Sequence, residues 1–263
     1  MLAFSSLLGN VEGQNIYRIW YDKPASYWEE ALPVGNGRIA AMVFGNPQLE
    51  QIQLNEETVS AGSPYQNYNE EAKTALPEMR RLIFEGKYEE AQNMAATKIL
   101  SQVGNEMPYQ TVGRLNIRYP DHKKVNNYYR DLDISNAVAV TRYEVDGVEF
   151  TEETFASFTD QLVIRHIKAS KPGTINCELF FNTPMRDPKR SIYGKKGLRL
   201  EGITHGSRYF SGKVHYCADL DVKHKGGKVI TANDTLLSVQ GASELTLYIS
   251  MATNFVNYKD ISG

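Results

Sequence analysis

Residues 32–65 read LPVGNGRIAAMVFGNPQLEQIQLNEETVSAGSPY, and the fold class follows from how that stretch is punctuated. A tight turn, Pro33-Val34-Gly35-Asn36-Gly37, precedes an apolar run over 38–44. A second turn at Gly45-Asn46-Pro47 leads into the alternation Gln51-Ile52-Gln53-Leu54, which ends in Asn55-Glu56-Glu57. Ser60, Gly62, Ser63 and Pro64 follow as a polar loop. A period of two sends successive side chains to opposite faces, so these are two strands joined by a short turn. Polar groups gather where the strands begin and end. That arrangement suits a binding rim on a β scaffold, and it suits equally a hairpin with ordinary turn chemistry.

Upstream, 16–21 (IYRIWY) forms a first strand, stopped at Asp22-Lys23-Pro24 because Pro cannot continue a ladder. Residues 26–32 bridge to the hairpin and carry Trp28, Glu29 and Glu30. Downstream, 69–103 is the one helical region. Asn69 serves as N-cap, with Glu70 and Glu71 in the first turn, where the helix dipole favours acids. Pro77 opens a second helix and Gly86 caps it. Met79, Leu82 and Ile83, then Tyr88, Ala91, Met94 and Ala95, make apolar stripes at helical spacing, read as helices laid against a sheet.

From Val112 the pattern is strands again: 115–119, 128–134, 137–145, 148–155, 161–169, 174–181, 198–204, 213–224 and 246–251. Asp146-Gly147 supplies the positive φ values of a two-residue hairpin turn. Turns also fall at 170–173 and at Lys225-Gly226-Gly227. Residues 184–197 are basic and loop-like, and are expected to be a solvated loop. So many short strands predict a mainly β chain, a large antiparallel β-sandwich with a few short helices in 69–103. No internal domain boundary is visible between 15 and 263.

Composition narrows the function. The 263 residues carry 29 basic and 31 acidic side chains, a net charge of −2. Without a basic excess there is no electrostatic footing for nucleic acid. The 16 tyrosines combine an apolar face with a hydrogen-bonding tip, which suits sugars and half-buried strands alike. Cys177 and Cys217 sit in strand-like runs and read as buried free thiols; pairing needs Cα atoms within about 7 Å. The five histidines are scattered, with no spacing for a metal and no cofactor motif. The first residues, 1–14, are small and apolar, too short to span a bilayer and without a basic n-region. They are read as a leader or signal-peptide remnant, and no other run is a membrane segment.

Glycoside hydrolysis needs two carboxyl groups flanking a bond. The acidic pairs here, Glu29/Glu30, Glu56/Glu57, Glu70/Glu71, Glu89/Glu90 and Glu152/Glu153, are adjacent in sequence. Adjacent side chains diverge on strand and helix alike, so none of these pairs can close on a sugar. Glu56, at a strand end, is the best single candidate for a functional acid. No complete active site emerges.

Six blocks carry a family resemblance, in order and in register. They are WYDKPASYWEEALPVGNGRIAAMVFG, QIQLNEETVSAGSPY, ALPEMRRLIFEGKYEEAQ, MPYQTVGRL, YYRDLDISNAVAVTRYEVDGVEFTEETFAS and TNFVNYKDISG. From Asn15 onward the chain resembles the amino-terminal domain of the α-L-fucosidases of glycoside hydrolase family 95. The resemblance implies a supersandwich that packs on a C-terminal (α/α)6 barrel absent from this chain. It implies a glycan substrate, α-L-fucosyl or α-L-galactosyl, cleaved with inversion by a Glu and an Asp of that barrel. No residue here matches those positions, so none is expected to be catalytic. With the apolar leader it also implies a secreted or periplasmic bacterial protein. The strand-end residues Trp28, Asn36, Arg38, Asn55 and Glu56 are the expected edge of the sugar cleft or of the domain interface. Relatives carry a Trp before the Ser-Gly, whereas this chain has Thr58-Val59-Ser60, so an aromatic platform is missing there. A stand-alone carbohydrate-binding module and a purely structural domain are the alternatives.

Overall fold

The computed structural model describes residues 17–62, 67–101, 108–206 and 211–260. The leader at 1–14, Ile16, Ser63, Pro64 and residues 102–103 lie outside them. The chain is a sandwich of two antiparallel sheets. The nine-stranded sheet runs β1 (Arg18–Tyr21), β6 (Asn126–Asp133), β7 (Val138–Val145), β8 (Val148–Ala156), β9 (Val163–Ala169), β16 (Glu244–Thr253), β13 (His215–Lys225), β12 (Gly197–Ile203), β11 (Arg186–Tyr193). The seven-stranded sheet runs β14 (Lys228–Asn233), β15 (Leu236–Ala242), β10 (Ile175–Asn182), β5 (Gly113–Arg118), β4 (Leu49–Glu56), β3 (Ile39–Val43), β2 (Leu32–Gly35).

Period-two alternation does the sorting. On β4 the residues Glu50, Ile52, Leu54 and Glu56 face inward and are buried, while Leu49, Gln51, Gln53 and Asn55 face outward. On β16, Leu245, Leu247, Ile249 and Met251 enter the same core. One apolar cluster spans both inner faces, which is what holds two sheets together. The Asp146-Gly147 and Gly226-Gly227 turns have the positive φ values expected of them.

Several expectations change. The segment read as a tight turn at 33–37 is largely a strand: Leu32–Gly35 pairs with β3, and only Asn36-Gly37 turns. Pro33 is tolerated because β2 is a sheet edge, where a missing N–H costs no ladder bond. The stretch 184–197, expected to be a loop, contains β11, also an edge. It is exposed as expected, but its backbone pairs with β12, with a bulge between Arg186 and Lys189. The hairpin of β14 and β15 carries no strand expectation at all.

The helices differ as well. Pro77 opens nothing; it lies inside a continuous α1 (Ala72–Phe84). Asn69 accepts the Glu71 N–H at 3.0 Å, while its amide donates to the Thr97 carbonyl at 3.1 Å. Gly86, at φ 76°, ends α1 as predicted: Gly86 N–H bonds Ile83 O at 3.1 Å and Lys87 N–H bonds Leu82 O at 2.9 Å. α2 (Tyr88–Met94) runs into a π-helical turn, Ala95–Ile99. These pieces pack chiefly on one another rather than on a sheet. Of their apolar stripes only Leu82 and Ala91 are buried.

Candidate functional site

Four of the five expected site residues occupy one end of the sandwich. The Asn36 carboxamide oxygen accepts the N–H groups of Arg38 (3.1 Å) and Ile39 (2.9 Å), which closes the turn into β3. Its amide crosses to the other sheet, donating to the Ser157 carbonyl (2.8 Å) and to Gln161 Oε1 (3.2 Å). Arg38 follows the same route. Its Nε donates to Gln161 Oε1 at 2.8 Å, and its Nη1 lies 3.3 Å from both Glu56 Oε1 and the Met251 carbonyl. Glu56 Oε2 accepts the Thr58 N–H (2.8 Å) and hydroxyl (2.6 Å). The Thr58 hydroxyl also meets that of Thr253, at the end of β16. Tyr109 donates to the Glu56 carbonyl at 3.2 Å, beside the Asn55 carboxamide; burial pushes its phenol pKa up and Asn55 pulls it down.

Trp28 stands apart. It lies in a 3₁₀ turn, Trp28–Glu30, ahead of the first residue of β2, whereas Asn36 follows the last. The strand separates them, so Trp28 does not share the rim.

What this rim can do is set by how its carboxylate is used. Glu56 is buried, and each oxygen already accepts donors from Arg38 or Thr58. A carboxylate so committed fixes the loop after β4 against Arg38. Two exposed aromatic side chains lie at this rim: Tyr109, bonded to the Glu56 carbonyl, and Phe158, whose carbonyl accepts the Gln161 amide.

A second charged cluster lies in the core, and the sequence reading missed it. Arg165 on β9 is fully buried between Glu50 of β4 and Glu152 of β8, which joins the two sheets. Its Nη2 is 2.7 Å from Glu50 Oε2 and bonds Glu152 Oε2 as well, while Nη1 donates to Thr154 at 2.7 Å. Glu50 also accepts the Gly45 N–H at 2.9 Å. Glu152 Oε1 accepts the hydroxyls of Tyr119 (2.8 Å) and Tyr143 (2.9 Å). His122 stacks on Tyr119 with ring centroids 4.4 Å apart. Its Nδ1 is 3.1 Å from the Pro47 carbonyl, a contact only an N–H satisfies. Burial raises the Glu50 pKa to about 6 against the pull of Arg165. Burial opposes the charge on Arg165, but the Glu152 and Glu50 carboxylates hold it protonated.

These two carboxylates share one guanidinium and have no path to solvent, so they are a structural bridge, not an acid and a base across a sugar. Parity was the available signal. Glu50 alternates with Ile52 and Leu54, and Arg165 with Val163 and Ile167, so each is a charge on a core-facing position.

Cys177 and Cys217 belong to different sheets and both are free thiols. Among the described residues no group of three or more His, Cys, Asp or Glu is placed to hold a metal ion. No helix among them is long and apolar enough to cross a membrane.

Comparison with known proteins bears on residues 19–258, which match the family model "Glycosyl hydrolase family 65, N-terminal domain". The chain is 31% identical over 271 residues to alpha-L-fucosidase 2 of Arabidopsis thaliana, covering 93% of this chain and 31% of that protein. It is 26% identical over 253 residues to "Probable alpha-fucosidase A" of Aspergillus niger, covering 90% of this chain and 30% of that one. The protein of the same name from Aspergillus oryzae is 25% identical over 174 residues, 62% of this chain and 23% of its own length. The chain thus spans a third or less of the curated relatives it matches.

Proposed function

The chain belongs to the glycosyl hydrolase family 65 N-terminal domain family, a fucosidase-like glycosidase N-terminal domain, and from that premise we propose that it is the non-catalytic amino-terminal sandwich of a longer α-L-fucosidase-like enzyme. The enzyme removes terminal α-L-fucosyl or α-L-galactosyl units with inversion, using an acid and a base outside this chain. This domain packs on and supports the (α/α)6 barrel that holds them. The protein is exported, its substrate being a glycan outside the cell.

The observation that carries the reading is the state of the acids. The rim carboxylate, Glu56, is consumed by Arg38 and Thr58, and the core pair is sealed around Arg165. The rim itself is the face turned to the barrel. Thr253, the last residue of β16, meets Thr58 at this rim. Tyr109 and Phe158 add exposed apolar surface there, of the kind a domain interface covers.

Hydrogen exchange tests this. In the longer enzyme, the amides of Glu57, Asp160 and Asn257 exchange more slowly than in the 263-residue chain. Equal exchange in the two forms overturns the assignment of the rim to the interface.

A further inference from the structure

The outer face of the seven-stranded sheet carries a built polar floor that neither the core nor the rim uses. Strand register lays it out in rows. Met42 pairs with Gln53, Gln53 with Arg114, and Arg114 with Asn182 across β3, β4, β5 and β10. The next outward row carries Gln51, Asn116 and Phe180. A solvated sheet face needs no order among its side chains, yet here they are pinned. Asn116 is buried, and its amide donates to the carbonyls of Arg114 and Phe180, both at 3.3 Å. Gln51 spans from Asn116 Oδ1 (3.5 Å) to Arg114 Nη1 (3.3 Å) and so fixes the guanidinium, which also lies 5.6 Å from the centre of the Phe44 ring.

The row of Gln53, Arg114 and Asn182 opens into a groove of about 370 Å³, walled by Thr111, Gly113 and Thr183-Pro184. The walls are committed to the fold. Thr111 donates to the Leu54 carbonyl and Thr183 to the Val112 carbonyl, each at 2.9 Å. Gly113, at φ +143°, leaves no room for a Cβ, which would sit 2.6 Å from the Asn182 carbonyl. The floor is not committed. The Gln53 and Asn182 carboxamides have no hydrogen-bond partner among the described residues, and Arg114 spends one N–H on Gln51.

We infer that this groove is a binding site for one sugar unit of a glycan. Two carboxamides offer donors and acceptors together, as vicinal hydroxyls require, and a guanidinium donates to two neighbouring oxygens at once. The lining holds no carboxylate and no lysine, so it suits a neutral ring and not a cation. The volume falls in the range of small-ligand sites, about 300–1,000 Å³. The choice of a sugar over other hydroxyl-rich molecules rests on the family membership above.

The test is NMR titration of the 263-residue chain with an α-L-fucosylated trisaccharide, with sorbitol as the control polyol. The side-chain amides of Gln53 and Asn182 shift saturably with the trisaccharide at millimolar concentration and not with sorbitol. Arg114→Ala and Asn182→Ala each weaken binding by about tenfold or more. Both keep the wild-type melting temperature, and Arg38→Ala at the rim leaves binding unchanged. No saturable shift, an equal response to sorbitol, or binding unaffected by both groove substitutions overturns the inference. A longer enzyme that hydrolyses fucosides while the groove stays silent leaves the proposed function standing and removes this site alone.

Discussion

Glu50 shows how one residue in the core senses pH. Its carboxyl pKa is raised from 4.5 to about 6, because burial outweighs the attraction of Arg165. The folded protein therefore holds this proton more tightly than the unfolded chain does. The stability Glu50 contributes is full below pH 4.5 and is lost as pH rises through about 6. The shift corresponds to about 2 kcal/mol between those limits. His122 slopes the other way: burial lowers its pKa, so stability is lost as pH falls through the unfolded value of 6.5. Comparing wild type with Glu50→Gln from pH 4.5 to 7 by chemical denaturation isolates the first effect. The stability difference should move against the wild type by about 2 kcal/mol as pH rises. A difference that is flat with pH contradicts it. At this scale the sequence was partly legible. Asn36, Arg38 and Glu56, picked from strand ends, share one hydrogen-bonded set, whereas Asn55 faces outward and reaches Tyr109. Glu50 and Arg165 were passed over because adjacency of acids was weighed and the parity of single charges was not.

Among the elements, the turn from β3 to β4 is tightly constrained. Gly45 has φ +72°, its N–H bonds Glu50, and its carbonyl accepts the Tyr128 hydroxyl at 2.6 Å. An added Cβ meets the Tyr128 hydroxyl at 2.7 Å and Arg130 Cδ at 2.9 Å. Gly86 makes a useful contrast, because it has φ +76° with nothing within 4 Å. Gly86→Ala should cost only the backbone term, about 1 kcal/mol, and Gly45→Ala roughly 2–4 kcal/mol once crowding is added. Thermal melting of the two variants checks the order, and equal losses would show that the turn can yield. Legibility followed burial only in part, since β2 and β15 bury alternate residues and were missed. Strands with one buried face, such as β4, β10 and β16, alternate visibly and were found. β11 and β14 are exposed along nearly their whole length, so no hydrophobic period marks them; backbone pairing alone makes them strands.

For the whole molecule, topology accounts for what composition could not. The nine-stranded sheet inserts β16 between β9 and β13, so the last strand of the chain is central, and Thr253 at its end reaches the loop after β4. No local pattern encodes that neighbour relation, which is why the sandwich class was legible and the strand order was not. The same closure brings the end of β16 to the polar rim. The groove at Gln53, Arg114 and Asn182 lies on a different surface, the outer face of the seven-stranded sheet. With Glu50, Glu56 and Glu152 sealed or committed, the proposal has hydrolysis depend on carboxyls supplied elsewhere. The direct measurement is turnover of 4-nitrophenyl α-L-fucoside by the purified 263-residue chain. The account predicts release of nitrophenol no faster than in buffer at every pH. Saturable turnover that disappears in Glu56→Gln would contradict it.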